Sequence, residues 1–451
     1  MFYVHNTVRR IVHGANAIRH AADEVKRLGG TRAFIVTDPG LAKIGVQKPL
    51  EEALAAGGVA FALYAEAELE PGMDSIGHCA DEARDFRADI IIGIGGGSAL
   101  DTTKAASVLL SNEGPIDKYF GMNLVPNPCP PFILAPTTAG TGSEMTSISV
   151  LSDTKNGGKK GVVSDYMYAD TVILDPELTL GLPPHVTAMT GVDAFVHAME
   201  SYVGKADTLM TDALNLQAMR LIARSIRRAY VNGHDREARA DMLYASALAG
   251  MGFSNTQNGI IHAVGTAVPR EYRLPHGLLM ACLSPMCMAF NVMARVDKYA
   301  NIARILGEPD DPDTPALARK APERMRALLN DLDIKIGLAP YGVKKEDLPG
   351  IAERASGNVR LIGNNPRPAT ADQILALLEA HHQKAALSGD GHAIPSPGKR
   401  IPNRRTCRCN TVPAGFSSSC LFFPGVPEKG GIFHLEQFTV EMLQKMWGSA
   451  P

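Results

Sequence analysis

Apolar residues are grouped in two different ways along the chain, and the change occurs near Leu182. Before that point, short β-branched runs alternate with stretches of helical spacing, which predicts strands joined by helices. The predicted strands lie in residues 31–38, 59–65, 88–95, 131–140 and 171–177, and the helices between them are 49–56, 75–86 and 98–110. Strands joined by helical crossovers run parallel, so we predict an α/β domain with a helix-covered parallel sheet.

After Leu182 the apolar residues recur at helical spacing to about Leu387, most clearly in residues 213–230 and 240–251. We therefore predict three regions: an α/β domain over residues 1–182, an all-helical domain over 183–387, and an atypical extension over 388–451. The extension is rich in glycine and proline, and only Phe433–Trp447 has the pattern of an amphipathic helix. We expect it to be poorly ordered, with no part in the chemistry.

Composition narrows the class of protein. The chain has 451 residues, a net charge of -2 and no long basic block, so we expect neither a nucleic acid nor a membrane as partner. No apolar run reaches the roughly 18 residues that a membrane span needs, and no secretory signal is visible. Seven cysteines without metal-type spacing, Cys407 and Cys409 included, fit a reducing compartment. We expect a cytoplasmic enzyme.

A glycine-rich turn stands between the third predicted strand and its helix. The strand ends at Gly95–Gly97, and Ser98 opens the helix, where its side chain can act as the cap. Glycines let a phosphate approach the backbone, and the free N–H groups at the helix start attract it. Lys104 is too distant for a P-loop. With the loop PTTAGTGSEMTS at 136–147, which offers small hydroxyl side chains after the next strand, the turn favours a dinucleotide over a merely structural role.

Asp38 ends the first predicted strand. A carboxylate at that edge can accept both ribose hydroxyls of an adenosine and would repel a 2′-phosphate, which favours NAD over NADP. The alternative is an aspartate that only starts the turn at Pro39-Gly40.

Four side chains of the helical half suit a metal ion. Asp193 and His197 are four residues apart in GVDAFVHAMESY and so lie on one face of a helix. His262 lies in another apolar helix, and His276 follows Pro275 at a helix start. One carboxylate and three imidazoles are ligands that divalent Fe, Zn or Mn accepts. Each histidine alone could instead be an ordinary core residue.

The segments GGGSALDTTK, PTTAGTGSE, GVDAFVHAMES and HAVGTAVPREYRLPHG resemble the iron-containing (group III) alcohol dehydrogenases, a family that includes lactaldehyde reductase and 1,3-propanediol dehydrogenase. The resemblance covers about residues 1–387. It implies a dehydroquinate synthase-like architecture, with an NAD-binding α/β domain, a helical metal-binding domain, a site in the cleft between them, and a homodimer. It also implies the NAD-linked interconversion of a small primary alcohol or diol and its aldehyde or ketone.

The resemblance assigns roles to individual residues. The bound Fe²⁺, or Zn²⁺ as the alternative ion, would be held by Asp193, His197, His262 and His276. NAD would be held by Asp38, Gly96, Gly97, Ser98, Thr137, Thr138, Thr141 and Lys159. His276, Thr266 and Phe253 would face the reacting atoms, with Phe253 in the apolar wall.

Three features depart from the family pattern. Thr266 occupies the position of the family's second histidine, which leaves proton transfer to a hydroxyl, a water chain or the cofactor ribose. The family's Pro-Asn-Pro turn reads Glu70-Pro71-Gly72-Met73, which removes an asparagine amide near the cofactor. The substrate-lining positions are apolar, which disfavours a highly hydroxylated substrate; they are Ile148, Phe253 and Leu361.

Other functions stay open on the sequence alone. One is a hydroxyacid–oxoacid transhydrogenase that keeps its NAD bound throughout. Another is a lyase of the dehydroquinate-synthase type. The sequence argues against it, because it has no cluster of Lys and Arg around the ligands that would suit a phosphorylated substrate. A third is a metal-free relative that has become a binding protein.

Overall fold

The computed structural model describes residues 3–155 and 158–387. Its strands are β1 (Ile11–His13), β2 (Arg32–Val36), β3 (Ala60–Tyr64), β4 (Ile90–Gly95), β5 (Gly121–Met122), β6 (Phe132–Pro136), β7 (Ile148–Ser152), β8 (Lys159–Val163) and β9 (Thr171–Leu174). Its helices are α1 (Ala21–Arg27), α2 (Pro39–Ile44), α3 (Lys48–Ala56), α4 (Met73–Asp85), α5 (Gly97–Ser111), α6 (Pro184–Val203), α7 (Leu209–Val231), α8 (Arg236–Thr256), α9 (Ile260–Ala267), α10 (His276–Asn291), α11 (Val296–Ile305), α12 (Thr314–Asp331), α13 (Leu348–Ser356), α14 (Val359–Asn364) and α15 (Ala371–Leu387). The predicted extension over 388–451, with its helix at Phe433–Trp447, lies outside the described residues.

Six strands form one sheet in the order β1-β9-β6-β4-β2-β3, and every neighbouring pair is parallel. Each of the five predicted strands contains one of them, so the predicted α/β fold with a parallel sheet is confirmed. The sixth, β1, has only three residues, which is too short for a pattern to reveal. A smaller sheet, in which β8 pairs with β5 and β7, was not predicted, because Lys159–Val163 begins with two exposed lysines and a glycine.

The strand order reverses next to β2, since β3 lies on one side of it and β4 on the other. In open α/β sheets, ligands bind beyond the carboxyl ends of the strands at such a reversal. Asp38 follows β2 and Gly96 follows β4. The topology therefore places both residues at the edge of the sheet where a nucleotide is expected.

From Pro184 onward the described chain consists of the helices α6 to α15 and their connections. Buried apolar side chains of these helices form one large cluster, in which Phe195, Met199 and Ile222 are among the fully enclosed residues. The expected helical C-terminal half is thus confirmed. The described residues form one compact unit by their contacts, and the domain boundary at Leu182 stays a prediction.

One helical stretch, His276–Ala294, has 19 residues and a mean hydropathy of 1.7. It includes α10 and is long and apolar enough to cross a membrane, so the expectation that no apolar run reaches that length is wrong. However, 67% of its most apolar window is buried inside the protein. The stretch packs as the core helices of water-soluble proteins do, because it supplies part of the helical core.

Candidate metal and cofactor site

The predicted cofactor residues of the α/β half lie at the ends of three adjacent strands. Asp38 follows β2, Gly96 follows β4 and Thr137 follows β6. Gly96 is the N-cap residue of α5, whose first N–H groups have no acceptor within the helix. The start of this helix therefore offers backbone donors and a positive dipole end to a phosphate.

Asp38 has two neighbours at this edge. Its Oδ1 accepts a hydrogen bond of 3.0 Å from Leu41 N and caps α2. Its Oδ2 faces the glycine turn, because a Cβ built on Gly95 would lie 3.9 Å from that atom. Asp38 therefore does cap the turn at Pro39-Gly40, which was the alternative left open by the sequence. Its binding of the adenosine ribose stays a prediction.

The glycine turn touches the threonine loop that follows β6. A Cβ on Gly97 would lie 2.8 Å from Thr141 Cγ2, and a Cβ on Gly96 would lie 3.5 Å from Thr138 Cγ2. Only a glycine at position 97 leaves room for this contact. Both predicted cofactor loops thus form one surface at the carboxyl edge of the sheet.

Ser98 does not cap the helix, contrary to our prediction. The helix begins one residue earlier, at Gly97, and Ser98 is its second residue. The Ser98 hydroxyl turns away from the first turn and donates a hydrogen bond to the carbonyl of Leu69. This bond ties α5 to the segment before Glu70-Pro71.

A buried lysine, Lys104, lies beneath the threonine loop. The sequence indicated only that it is too distant from the glycine turn for a P-loop. Lys104 Nζ donates hydrogen bonds to Ser143 O at 3.0 Å and to the carbonyl of Ile148, and lies 3.1 Å from Asp101 Oδ1. Burial lowers the pKa of Lys104, and Asp101 partly offsets that effect. The lysine therefore connects the threonine loop to β7 and stabilises the conformation of that loop.

The structure brings the four predicted metal ligands together. One donor atom from each of Asp193, His197, His262 and His276 lies within 4.8 Å of the others. Asp193 Oδ1 is 3.9 Å from His197 Nε2 and 3.7 Å from His276 Nε2. A Cβ on Gly277 would be 2.6 Å from Met189 O, so this glycine lets the start of α10 approach α6.

Burial shifts the pKa values of two of the histidines. Asp193, His197 and His262 are no more than 5% exposed, and His276 is half-buried. Burial lowers the pKa of His276 to about 3, helped by His262 and Lys159, and burial also lowers the pKa of His197 well below its ordinary value. Neutral imidazoles have a free ring nitrogen, which is the form that binds a metal.

The donor set fits a divalent cation. Asp193 Oδ1 and His262 Nε2 are buried and have no hydrogen-bond partner among the described residues. Buried polar atoms in proteins are nearly always satisfied, so two such atoms at the centre of a ligand cluster indicate a missing positive partner. Burial also raises the pKa of Asp193 to about 7, and a cation there would instead favour its ionised form.

Two of the histidines are oriented through their second ring nitrogen. His197 Nδ1 lies 3.2 Å from Gly140 O in the threonine loop, which joins the ligand cluster directly to the cofactor surface. His262 Nδ1 lies 2.7 Å from Glu200 Oε2. Glu200 was not among the predicted site residues, although its position three residues after His197 on the same helix was a usable signal.

Phe253 and Thr266 border the cluster. The Phe253 ring stacks on His197 with 4.4 Å between centroids, which places an apolar surface beside a ligand. The Thr266 hydroxyl donates to His262 O at 2.7 Å, back along its own helix. Of the other predicted lining residues, Ile148 is partly exposed, whereas Leu361 is 5% exposed and packs in the helical core.

Lys159 has a partner that the sequence did not suggest. Its Nζ lies 2.8 Å from Glu70 Oε1, and Arg270 Nε lies 4.0 Å from Glu70 Oε2. Glu70 is the first residue of the Glu70-Pro71-Gly72-Met73 sequence, and its carboxylate binds the predicted cofactor lysine. The roles assigned to Lys159, Thr266 and Phe253 stay predictions.

Comparisons with known proteins agree with this geometry. The profile of the iron-containing alcohol dehydrogenases matches residues 8–176, and that of the C-terminal part of the Fe-containing alcohol dehydrogenase family matches residues 187–382. Sulfoacetaldehyde reductase of Bilophila wadsworthia is 67% identical over 386 residues, which cover 85% of this chain and 100% of that protein.

Two solved structures are similar. A 1,3-propanediol oxidoreductase has a TM-score of 0.83 at 35% identity, covering 84% of this chain and 100% of its own. Sulfoacetaldehyde reductase from Bifidobacterium kashiwanohense in complex with NAD⁺ has a TM-score of 0.74 at 26% identity, covering 85% and 99%. The profile matches, the 67% identity and the shared fold carry one conclusion: this chain belongs to the iron-containing alcohol dehydrogenase family.

Proposed function

We propose that this protein is a metal-dependent, NAD-linked reductase that converts sulfoacetaldehyde to the corresponding alcohol sulfonate, and that it also catalyses the reverse reaction. The observation that carries the metal-dependent chemistry is the cluster of four donor atoms within 4.8 Å, hydrogen-bonded through His197 to the cofactor loop at Gly140. The 67% identical relative, matched over its whole length, supports the choice of substrate.

The proposed ligands of the ion are Asp193, His197, His262 and His276. When bound, a divalent ion supplies Lewis-acid polarisation of the substrate oxygen, and a nicotinamide supplies or accepts the hydride. The backbone N–H groups at the start of α5 and the Thr141 loop bind and orient the nucleotide.

The chain's own side chains shape the surroundings of the reacting carbon. Phe253 covers one face of His197 and excludes water from that side. The proton of Thr266 Oγ1 is engaged by His262 O, so the oxygen retains only its lone pairs for a solvent hydrogen bond. Thr266 can therefore accept a hydrogen bond from a water but relays no proton itself, which leaves proton transfer to a water chain or the cofactor ribose.

A net positive charge near the cluster supports an anionic substrate, because Lys159 and Arg270 share the single carboxylate of Glu70. Burial lowers the pKa of His276, and the charges of His262 and Lys159 act in the same direction. A sulfonate keeps its negative charge at every pH of interest, and a charge-assisted hydrogen bond contributes about 1.5–3 kcal/mol. We therefore expect the sulfonate to favour this aldehyde by roughly 10- to 100-fold over an uncharged one.

The test is anaerobic loading with Fe²⁺, Zn²⁺ or Mn²⁺, followed by NADH oxidation with sulfoacetaldehyde and with uncharged propanal and lactaldehyde. We expect activity only with the metal-loaded protein and a higher kcat/KM for sulfoacetaldehyde, with a preference that falls as salt is added. Equal kcat/KM values for all three aldehydes would refute the substrate. Turnover without added nicotinamide, in the presence of an oxoacid, would indicate a transhydrogenase instead.

We further propose a cytoplasmic homodimer. Cys79, Cys282 and Cys287 are buried free thiols, which fits a reducing compartment. The dimer follows from the family resemblance. Light scattering should give about twice the 48.1 kDa of one chain, and a mass of one chain would refute the dimer.

A further inference from the structure

Glu200 is a buried carboxylate outside the predicted ligand set. It lies on α6, one turn after His197 and two turns after Asp193, so all three share a helix face. Its side chain is 2% exposed, and its only ion pair among the described residues is with His262. A carboxylate enclosed in this way needs hydrogen-bond partners in place of water.

Three hydrogen bonds supply that stabilisation, and all of them come from one segment. Gly259 N donates to Oε2 at 2.9 Å, Ile261 N donates to Oε1 at 2.6 Å, and His262 Nδ1 lies 2.7 Å from Oε2. The two backbone donors belong to the start of α9, where N–H groups have no acceptor within the helix and a negative charge is favoured. Glu200 therefore acts as the cap of α9, which has no side-chain cap of its own.

Gly259 makes room for the carboxylate. A Cβ at that position would lie 3.1 Å from Glu200 Oε1 and 3.0 Å from Asn365 Oδ1. The backbone φ of -135° is open to any residue, so the glycine serves close approach and not an unusual backbone conformation. A larger residue would push the start of α9 away from α6.

The bond from His262 sets the tautomer of that histidine. Because a carboxylate accepts at Nδ1, the ring proton resides there, and the lone pair is on Nε2. Nε2 is the atom that is buried without a partner and belongs to the ligand cluster. Glu200 therefore determines which nitrogen of His262 is available to a metal, and the same bonds fix the position of α9 against α6.

We propose that Glu200 is a positioning residue of the metal site, which holds α9 against α6 and directs His262 Nε2 at the ion. This inference rests on the proposed metal site but is independent of the substrate and of the hydride transfer. A Glu200→Gln side chain presents an NH₂ group to donors that need acceptors. Either a backbone N–H of α9 loses its partner, or His262 moves its proton to Nε2 and can no longer bind.

The experiment measures metal binding without cofactor or substrate. Zn²⁺ and Co²⁺ affinities are obtained by competition with a chelator, and Tm is recorded with and without metal for the wild type, Glu200→Gln and Glu200→Asp. Glu24→Gln is the matched control, since Glu24 is also buried and accepts bonds from Arg10, Arg27 and Thr171 but lies on α1 in the α/β half.

We expect Glu200→Gln to weaken metal affinity by about 10- to 100-fold, as is typical for the partner of a ligating histidine. Its metal-induced rise in Tm should shrink, and its Co²⁺ spectrum should change. Glu200→Asp keeps the charge and should recover part of the affinity, whereas Glu24→Gln should lower Tm without changing affinity.

Wild-type metal affinity in Glu200→Gln would overturn the proposal, even if the variant were less stable. If Glu200→Gln does not fold, Glu200→Asp decides: the proposal fails if this variant binds Zn²⁺ as the wild type does and shows the same Co²⁺ spectrum. Because no turnover is measured, a wrong substrate assignment would leave these results unchanged.

Discussion

Replacing Gly97 with alanine tests whether the contact between the glycine turn and the threonine loop shapes the cofactor site. The added Cβ would lie 2.8 Å from Thr141 Cγ2 and 3.0 Å from Thr141 Oγ1. Unbonded carbon atoms prefer about 3.5–4.0 Å, so the overlap is near 1 Å and the two segments must separate. Overpacking of this size costs about 1–3 kcal/mol.

The cost should appear mainly in NADH binding. The separated loop no longer matches the N–H groups at the start of α5, and a loss of 1–3 kcal/mol corresponds to roughly a 5- to 150-fold higher Kd. We measure Kd by NADH fluorescence and stability by thermal unfolding. Gly77→Ala is the matched control: Gly77 also lies in a helix, α4, and a Cβ there meets nothing within 4 Å. This control should keep its NADH affinity and be at least as stable as the wild type.

A second substitution identifies the clashing atom. Thr141→Ser removes Cγ2, the atom nearest to the added Cβ, and keeps the hydroxyl. In the Gly97→Ala background it should recover part of the affinity, which a double-mutant cycle records as coupling between the two sites. The reasoning is refuted if Gly97→Ala binds NADH with the wild-type Kd, or if the serine recovers nothing.

Three further predictions concern the metal ligand His262, the buried acid Glu144 and the exposed lysine Lys159. His262→Ala should abolish metal retention and turnover, measured by elemental analysis and NADH formation; a variant with full metal content and activity would contradict the ligand assignment. Burial raises the pKa of Glu144 from 4.5 to about 7 in the folded protein. The protonated side chain therefore contributes to the free energy of unfolding fully below pH 4.5, and this contribution is lost as the pH rises through 7. We measure the free energy of unfolding in urea at pH 5 and pH 8. From the lower to the higher pH, the stability of Glu144→Gln relative to the wild type should rise by up to about 3 kcal/mol, and the same difference at both pH values would contradict this. Lys159→Ala should raise KM for NADH or sulfoacetaldehyde about tenfold. Lys160 is the control, because its side chain points to the other face of β8, and Lys160→Ala should leave KM unchanged. Similar effects of both substitutions would show that the site does not use Lys159.

Much of the fold could be predicted because its elements have local patterns. The run at residues 90–94 is apolar throughout, as a strand buried on both faces must be, and β4 is fully buried. The i, i+4 spacing of Asp193 and His197 required only that one helix form. Ser98 shows the limit of this reasoning: a helix start one residue earlier turned the expected cap into a hydrogen-bond donor to Leu69.

The remaining features depend on contacts between distant parts of the chain. Lys104 sits in a sequence that reads as an ordinary helix, and only packing shows that it is enclosed beneath the loop at Ser143. The bond between Lys159 and Glu70 joins residues that are far apart in the sequence.

The sequence by itself determined which residue types stand in strands, helices and turns, and therefore the class of fold and the kind of metal ligand available. The tertiary structure decided which donor atoms meet, because helices α6, α9 and α10 must pack before Asp193, His262 and His276 lie within 4.8 Å. It also placed the carboxylate of Glu200, 62 residues away in the chain, 2.7 Å from His262 Nδ1. Periodicity is a local property, whereas distance between remote side chains follows only from packing.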